Sequence, residues 1–436
     1  MTRASETLRV GDSLEVVIEK AVYRGLGLAR HQGQVVLVRR GLPRDRVRVR
    51  VEETGRGYVR AGVETLLDPS PRRRPSPCPL FARCGGCAYQ DVEYGRQLEL
   101  KEAILREALA RAGAAWQGDI VVHGSPEPGW RTRATLHLGL TPEGSVGLGL
   151  NEEGSHRLVD LVACEQLTPL LHRTQRALLE GLRDHPYRAR VRDLRLAQGR
   201  DGEGVVAVIE GDLDARAAAS LASVGRAVPW LTGFGALSDQ ATFVLLAGSP
   251  YVHSTVVGRR LRSHVLSFFQ GNRFLVDDLV GTVSGLIPAG ATLLDLYAGV
   301  GLYSLAAAPQ AATVMALEGD PYAVADAKVN VRAAGFDQVR VHSGDVLDSL
   351  RGLRLETGEA IVLDPSRRGA GPRVVEAIVR RQPACIVYVS CDPPTLGRDL
   401  ALLQRAGFRP DAVHVFDLFP DTFHLEAVIR LSFTAL

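Results

Sequence analysis

From about residue 285 onward, the chain alternates apolar strand-like runs with helical segments, and this pattern limits the fold more than any other feature. Residues 292–301 (TLLDLYAGVG) form an apolar run that enters a glycine turn, and a helical segment follows. Further apolar runs occupy residues 313–318 (TVMALE) and 360–363 (AIVL). Strands that alternate with helices are typical of an open α/β sheet. The sequence therefore predicts a Rossmann-like α/β domain in this part of the chain.

Several of these strands end in residues that carry chemistry. Glu318 ends the second strand, Asp345 follows a third, and Asp364 ends a fourth. Cys391 follows the apolar run of residues 387–389 in the same way. Ligands of open α/β sheets bind outside the carboxyl ends of the strands, so we expect these side chains to share one rim.

The glycine turn predicts the kind of ligand that this rim binds. Gly299 and Gly301 allow close approach of the backbone, and Glu318, 17 residues after Gly301, stands where an acid binds ribose hydroxyls. Ser304 occupies the place of the third glycine of the dinucleotide fingerprint. A pyrophosphate is therefore disfavoured, and a nucleoside-type ligand such as S-adenosylmethionine is expected.

The cysteine within residues 387–395 (VYVSCDPPT) is either a packed thiol or a nucleophile. A lone cysteine at a strand end is most often a small core residue. With a methyl donor at the glycine turn, the thiolate of Cys391 can act as a nucleophile that adds to carbon 6 of a uracil, and carbon 5 then takes the methyl group. The carbon 5 proton must leave to a general base, and Glu426 is the candidate. The alternative for Glu426 is an ion pair with Arg430 on an edge strand.

Four of the six cysteines are spaced as in a metal or cluster site. Cys78, Cys84 and Cys87 form a C-x5-C-x2-C run that encloses two glycines, and Cys164 is a distant fourth. Zinc and an iron–sulfur cluster both accept four thiolates. Zinc sites prefer two C-x2-C pairs, of which only one is present, and the glycines let backbone amides point at cluster sulfides. The spacing favours a [4Fe–4S] cluster, with zinc as the open alternative.

Residues 8–67 consist of short strand-like runs with period-two alternation, as in RVRVRVE at residues 46–52. Short strands punctuated by glycines predict a small β-barrel of the OB kind. Residues 1–75 contain 16 Arg and Lys against 9 Asp and Glu, whereas the net charge of the whole chain is +3. A basic amino-terminal module suggests a polyanion such as RNA or DNA as the partner. The alternative is compositional bias, because Arg outnumbers Lys 49 to 3.

The region between the barrel and the α/β domain gives fewer signals. Residues 68–77 contain four prolines and three arginines, which predict an extended, solvated linker. Apolar residues at helical spacing mark residues 91–113. Residues 120–268 mix strands and helices and contain no readable motif beyond Cys164. We therefore expect a mixed α+β domain here.

Together these motifs resemble those of the RNA uracil-5-methyltransferases, most closely the members that act on 23S ribosomal RNA. The shared features are the C-x5-C-x2-C run with Cys164, FFQGN at 268–272, DLYAGVG at 295–301, LDP at 363–365, SCDP at 390–393 and FPDTFHLE at 419–426. The amino-terminal barrel resembles the TRAM domain. Two positions depart from the pattern: Asp392 stands where the family often has Asn, and Leu302 where polar residues are common. We expect Asp392 to change the tuning of the site rather than its reaction.

The resemblance implies a role for each motif. Cys391 is the nucleophile and Glu426 the base. The residues that bind the methyl donor, S-adenosylmethionine, are Gln270, Tyr297, Gly299, Glu318, Asp345 and Asp364. The residues that hold a [4Fe–4S] cluster are Cys78, Cys84, Cys87 and Cys164. The partner is RNA, 23S ribosomal RNA first and transfer RNA as the alternative, and the target base is expected to flip out of its loop into the pocket.

The implied architecture is an α/β fold with three domains. Residues 1–67 form a TRAM-like OB barrel. Residues 68–92 and 119–265 form a central α+β domain that carries the iron–sulfur cluster and binds RNA. Residues 93–118 and 266–436 form a Rossmann-like class I methyltransferase domain, which the helix near 93–118 joins by packing against it.

Two rival functions differ from this one. The first is an RNA amino-methyltransferase, because residues 392–394 (DPP) partly match the loop that accepts an exocyclic amine; Thr395 then replaces the aromatic residue that stacks on the base. The second is an iron–sulfur RNA-binding or redox-sensing protein with a vestigial catalytic domain. In the first rival Cys391 has no role, and the intact Cys391 and Glu426 speak against the second.

The remaining expectations concern the surroundings of the protein. An apolar content of 46% and a charged content of 23% are those of a globular protein in water. No run of about 18 apolar residues is present, so no membrane span is expected. Residues 1–6 (MTRASE) lead into polar sequence without the apolar core of a secretion signal. We therefore expect a cytoplasmic monomer.

Overall fold

The computed structural model describes residues 8–126, 128–202, 204–354 and 358–433. Residues 1–6, on which the expectation of no secretion signal rests, and the start of the predicted barrel lie outside this range. The strands of the described residues form three large sheets and one two-stranded hairpin. None of the described helices is long and apolar enough to span a membrane.

The first six strands form one curved sheet around a small apolar core. They are β1 (Ser13–Val17), β2 (Lys20–Val22), β3 (Leu26–His31), β4 (Gln34–Arg39), β5 (Arg46–Gly55) and β6 (Tyr58–Asp68). The order across the sheet is β1-β5-β6-β4-β3-β2, and β1 at one edge contacts β3 near the other. In β5 the buried Val47, Val49 and Val51 alternate with exposed arginines, as the period-two pattern predicted.

The segment after β6 is not the solvated linker that its prolines and arginines predicted. The side chain of Arg73 is only 14% exposed and binds the buried Asp45 at 2.6 Å and also Asp91. Arg74 bonds the Gln90 carbonyl at 3.1 Å. The prediction was wrong for these arginines because acceptors from distant parts of the chain surround them, and a composition rule does not see such partners.

One helix and one strand after this segment pack with the carboxyl-terminal part of the chain. They are α1 (Tyr94–Arg111) and β7 (Val121–His123). The helix matches the prediction for residues 91–113 to within a few residues at each end. Its apolar face, with Ile104, Leu105 and Leu109, belongs to the same core cluster as the carboxyl-terminal sheet.

A seven-stranded sheet with two helices forms the central region. Its strands are β8 (Arg133–Leu140), β9 (Val146–Asn151), β10 (Leu158–Asp160), β11 (Val191–Gln198), β12 (Val205–Gly211), β13 (Leu231–Ser238) and β14 (Phe243–Gly248). The helices are α2 (Pro169–Arg183) and α3 (Ala215–Arg226), and a short 3-10 helix spans Arg188–Arg190. The order is β10-β9-β8-β11-β12-β13-β14, and only the β12–β13 pair is parallel. This region is the expected mixed α+β unit.

The hairpin β15 (Tyr251–Val256) and β16 (Arg259–His264) connects the central sheet to the carboxyl-terminal domain. Val256 and Leu261 of the hairpin pack into a core cluster of that domain, although the predicted boundary lay after residue 265.

The carboxyl-terminal domain is an α/β sheet of eight strands, with β7 at one edge. Its further elements are α4 (Val276–Gly285), β17 (Thr292–Leu296), α5 (Leu302–Ala307), β18 (Thr313–Glu318), α6 (Pro321–Ala334), β19 (Val339–Ser343), α7 (Val346–Gly352), β20 (Ala360–Leu363), α8 (Gly371–Arg381), β21 (Cys385–Ser390), α9 (Pro393–Arg405), β22 (Phe408–Phe416) and β23 (Glu426–Phe433).

The strand order of this sheet is β19-β18-β17-β20-β21-β23-β22-β7. The first five strands run parallel, and β23 is inserted antiparallel between β21 and β22. Apolar clusters cover both faces, which is why β20 and β21 are buried at every position. Because β7 pairs with β22, this sheet extends past the predicted boundary at residue 118. The α/β prediction is confirmed in this order of strands and helices.

Candidate active site

The glycine turn after β17 has the backbone geometry that its sequence predicted. Gly299 and Gly301 adopt left-handed conformations, with φ of 56° and 89°, and so does Tyr297 with φ of 63°. The carboxylate of Glu318, at the end of the neighbouring β18, accepts a hydrogen bond from the Gly299 amide at 2.8 Å. Its other oxygen accepts from the amides of the two residues that follow it, both at 2.7 Å. Glu318 therefore holds the turn and lies beside it.

Ser304, the residue in place of the third fingerprint glycine, has a structural role that the sequence did not reveal. Its backbone amide and hydroxyl both donate to Asp295 Oδ2, at 2.8 and 2.6 Å. Asp295 is fully buried, and this burial raises its pKa to about 7, against the opposing effect of the two Ser304 hydrogen bonds. The pair ties the start of α5 to β17 beneath the turn.

The predicted acids of the rim differ in their surroundings. Asp345 caps α7 by accepting from the backbone amides of Leu347 and Asp348. Asp364 lies beyond the end of β20 and accepts from the Tyr303 hydroxyl at 3.3 Å. Burial raises the pKa of Asp364 to about 7, despite that hydrogen bond. Gln270 is 4% exposed and lies in the segment between β16 and α4.

Cys391 and Glu426 are brought together by two antiparallel strands. Ser390 of β21 lies opposite Ala427 of β23. Because the two strands are antiparallel, the next pair in this register at the rim is Cys391 and Glu426. Burial raises the pKa of the Cys391 thiol to about 12, and the charge of Glu426 adds to this effect. Burial and the nearby Asp364 raise the pKa of Glu426 well above its usual value, while Arg367 opposes them.

The structure contradicts the alternative that was given for Glu426. Arg430 pairs with Asp411 and donates to the Leu286 carbonyl at 3.1 Å, rather than pairing with Glu426. Cys385 is 1% exposed inside β21, whereas Cys391 is partly buried at the carboxyl end of that strand.

Sequence reasoning missed one contact next to Cys391. The Tyr23 hydroxyl, from the turn between β2 and β3, lies 3.1 Å from Asp392 Oδ2 and 3.5 Å from the Cys391 carbonyl oxygen. Asp392 uses its other oxygen to cap α9, accepting from the Thr395 amide and hydroxyl at 3.0 Å. No local signal marks Tyr23, because its partner is 369 residues away in the chain.

His424 lies in the loop that precedes Glu426, with its ring centroid 4.1 Å from that of Phe423 and 5.6 Å from that of Phe419. Burial and the nearby Arg367 lower the pKa of His424 to about 3. The ring is therefore neutral at physiological pH.

The four predicted cysteine ligands line one cavity in the central region. The same cavity is bordered by residues of the Cys164 loop, among them Glu165 and Gln166. Burial raises the pKa of the thiols of Cys78, Cys84 and Cys87, and the charge of Cys164 adds to the effect at each of them. The Gly86 amide lies 3.4 Å from the Cys84 sulfur.

The arrangement of these cysteines can also be compared with that of a site for a single metal ion. Among the described residues, no group of three or more His, Cys, Asp and Glu side chains has the spacing to hold one ion. The cysteines are thus brought to one cavity without being gathered around one point.

Comparison with known proteins bears on the whole chain. Residues 255–433 match the family described as tRNA (Uracil-5-)-methyltransferase, and residues 8–63 match the TRAM domain. An uncharacterized RNA methyltransferase of Thermosynechococcus vestitus is 32% identical, with 97% of this chain and 98% of that protein aligned. The 23S rRNA (uracil(1939)-C(5))-methyltransferase RlmD of Chromohalobacter salexigens is 32% identical, with 95% and 88% aligned.

A solved structure shares the fold over nearly the full length. The tRNA (uracil-54, C5)-methyltransferase of Pyrococcus abyssi, in complex with S-adenosyl-L-homocysteine, superposes with a TM-score of 0.73. The sequence identity is 25%, and the alignment covers 96% of this chain and 100% of the other.

Proposed function

This chain belongs to the RNA uracil-5-methyltransferase family and is an S-adenosylmethionine-dependent RNA (uracil-5-)-methyltransferase, and on that premise we propose that Cys391 is its nucleophile and Glu426 its general base. The observation that carries the assignment is the pairing of β21 with β23. It brings a thiol and a carboxyl, both at strand ends, to the same rim as the glycine turn.

The reaction follows from the chemistry of these two side chains. The thiolate of Cys391 adds to carbon 6 of the uracil, and the electron pair of the 5,6 double bond moves towards the carbon 4 oxygen. Carbon 5 then attacks the methyl group of S-adenosylmethionine, the bond between this methyl group and the sulfur breaks, and S-adenosylhomocysteine leaves. Glu426 removes the remaining carbon 5 proton, the double bond forms again, and the Cys391 thiolate leaves. The bond to Cys391 that forms is broken again, and the enzyme is restored once Glu426 releases the proton to solvent.

The burial of Glu426 suits this step. A carboxylate whose pKa is raised is a stronger base than an ordinary one, and it holds the abstracted proton more firmly. At 3% exposure, the Glu426 side chain is itself shielded from water. A raised pKa lowers the deprotonated fraction at neutral pH, and the nearby Arg367 offsets part of that loss.

The donor site is proposed at the glycine turn. The left-handed Gly299 lets the backbone approach the donor closely, and Glu318 is placed beside the turn, where an acid binds ribose hydroxyls. The remaining proposed contacts come from Gln270, Tyr297, Asp345 and Asp364, which lie on the segments that surround this rim.

We also propose that Cys78, Cys84, Cys87 and Cys164 hold a [4Fe–4S] cluster. All four cysteines line one cavity, and such a cluster takes four thiolate ligands. Zinc also accepts four thiolates and stays the alternative. The single C-x2-C pair and the two glycines beside it favour the cluster. The methylation reaction itself transfers no electrons, so we assign the cluster a structural role.

The proposed substrate is 23S ribosomal RNA. This proposal is supported by the relative named RlmD, which aligns over most of both chains, and by the TRAM match in the amino-terminal sheet. Transfer RNA is the alternative, because the superposed Pyrococcus abyssi protein is named as a tRNA (uracil-54, C5)-methyltransferase.

Mapping 5-methyluridine in total RNA from cells with and without this enzyme tests the substrate. We expect a single class of uridine in 23S RNA to lose its methyl group when the enzyme is absent. Loss from transfer RNA alone would instead establish the alternative, and unchanged 5-methyluridine with a new loss of an amino-methylated base would overturn the proposed chemistry.

A further inference from the structure

The loop between β22 and β23, residues 417–425, immediately precedes the proposed base Glu426, which is the first residue of β23. Within it, Asp421 is 3% exposed and has a left-handed backbone with φ of 65°. Its carbonyl oxygen accepts from the amides of Ala88 at 2.9 Å and Tyr89 at 2.8 Å. These two residues directly follow Cys87. The main chain of the loop is therefore hydrogen-bonded to the first cysteine segment, the one that contains Cys78, Cys84 and Cys87.

The Asp421 side chain is hydrogen-bonded to the second cysteine segment, the one that contains Cys164. Its Oδ2 accepts from Gln166 Nε2 at 2.8 Å, two residues after Cys164. Its Oδ1 accepts from Gln97 Nε2 of α1 at 2.9 Å. One residue of the base-carrying loop therefore contacts both segments that supply the cysteines, and also α1.

The two glutamines cannot turn their amides around. Gln166 Oε1 already accepts from the Trp130 indole, and Gln97 Oε1 accepts from the Asp421 amide at 2.9 Å. Both glutamines must therefore present N–H groups to Asp421. A carboxylate presents acceptor oxygens to both glutamines, and its Oδ1 also pairs with Arg74 at 3.4 Å, whereas an amide at this position would place N–H against N–H.

The rest of the loop is short and internally bonded, so a shift at Asp421 reaches Glu426. The Thr422 hydroxyl donates to the Phe419 carbonyl at 2.8 Å and accepts from the His424 amide at 3.2 Å. Trp130, which orients Gln166, also contacts the Phe419 ring edge-on at 5.8 Å. Four residues separate Asp421 from Glu426.

We propose that Asp421 is a positioning residue: it clamps the base-carrying loop to the two cysteine segments and so sets the position of Glu426. The proposal rests on the roles given above to Glu426 and to the four cysteines. Its consequence is that the cysteine site, although it takes no part in the chemistry, acts on one step of the reaction, the removal of the carbon 5 proton.

Addition of Cys391 and methyl transfer precede proton removal, so a displaced base leaves a methylated covalent adduct. Asp421→Asn and Gln166→Leu both break the clamp, from opposite sides. Gln175→Leu is the matched control, because this buried glutamine of the central region donates to the Leu148 carbonyl, at 2.8 Å, away from the loop. Substrate RNA labelled with tritium at carbon 5, together with a labelled methyl donor, separates the two steps.

For Asp421→Asn and Gln166→Leu we expect tritium release to slow by roughly 10²-fold, the loss typical of a misplaced catalytic group, while methylated RNA–protein adduct accumulates on denaturing gels. Gln175→Leu should release tritium at the wild-type rate. Hydrogen exchange without RNA gives a readout independent of activity: amides of residues 417–426 should exchange faster in both clamp variants and not in the control. Rates are expressed per chain that binds S-adenosylmethionine in calorimetry, which removes unfolded protein from the comparison.

Wild-type tritium release in both clamp variants would overturn the proposal, and so would an equal slowing of methyl transfer and tritium release without adduct. Failure of the proposed function is distinguishable from either result, because the wild-type enzyme itself would then form neither adduct nor 5-methyluridine.

Discussion

The Tyr23 hydroxyl donates a hydrogen bond to Asp392 Oδ2 across 3.1 Å, so the amino-terminal barrel touches the turn that carries Cys391. Two further contacts join the β2–β3 turn to the rest of the chain. The Tyr23 ring packs edge-on against Phe423, with 5.8 Å between the ring centroids. Gly25, which is left-handed, packs so closely against Ala88 that a Cβ added to it would lie 2.9 Å from the Ala88 Cβ. The barrel is therefore part of the framework of the active site.

Tyr23→Phe removes the hydrogen bond and keeps the ring. A hydrogen bond to a charged acceptor contributes about 1.5 kcal/mol, so we expect kcat to fall roughly tenfold with KM for RNA unchanged. Lys20→Ala is the control, because Lys20 joins the same barrel to Glu107 of α1 by a half-exposed ion pair at 2.8 Å. Steady-state kinetics on both variants checks the prediction, and an equal effect of the two changes would assign the loss to domain docking alone.

Cys391→Ala should abolish methylation and the covalent adduct with RNA that contains 5-fluorouracil, since fluorine at carbon 5 cannot leave as a proton does. Cys385→Ala is the matched change at the buried cysteine of the same strand. It should cost about 1 kcal/mol of stability and keep both activities. Gel-shift of the denatured adduct is the measurement, and methylation by Cys391→Ala would support an amino-methyltransferase instead.

The dependence of kcat/KM on pH follows from the raised pKa values in the free enzyme. Cys391, with a pKa of about 12, must lose a proton before it attacks, and Glu426 must be ionised to accept one. The active forms of both groups therefore increase as pH rises, and from neutrality upward we expect kcat/KM to climb by up to about tenfold per pH unit for each group that is still protonated. A plateau already reached below neutral pH would contradict these assignments.

Glu318→Ala should weaken S-adenosylmethionine binding about 10²-fold, because it removes the proposed ribose acceptor and leaves the Gly299 amide without its partner. Glu376→Ala is the control, an exposed acid of α8 paired with Arg380. Titration calorimetry on both variants gives the comparison. Unchanged affinity in Glu318→Ala would move the donor away from the glycine turn.

Cys164→Ser should remove most of the bound iron and sulfide, since a cluster with three thiolates is held less firmly. Cys385→Ser alters a cysteine outside the cavity and should retain both. Iron and sulfide analysis with the visible spectrum decides the matter. Zinc in the wild-type protein, bound in an amount that Cys164→Ser abolishes, would establish the alternative site.

Much of the catalytic domain was predictable because its signals are local. Apolar runs, a glycine turn and acids at strand ends are properties of neighbouring residues, and they led to the α/β sheet with Glu318, Asp364 and Cys391 at its rim. The same reasoning failed for Arg73 and did not reveal the contacts of Tyr23 or Asp421, because their partners lie far away in the sequence.

The sequence by itself determined the kinds of elements, their order and the residue types that carry chemistry, since periodicity and turn chemistry depend on adjacent residues. Only the tertiary structure decided which of these residues meet. The antiparallel insertion of β23 beside β21 brings Glu426 to Cys391, and the fold of the loop before it joins Asp421 to both cysteine segments. Such contacts depend on strand register and on the packing of domains, which are set by burial over the whole chain rather than by any local pattern.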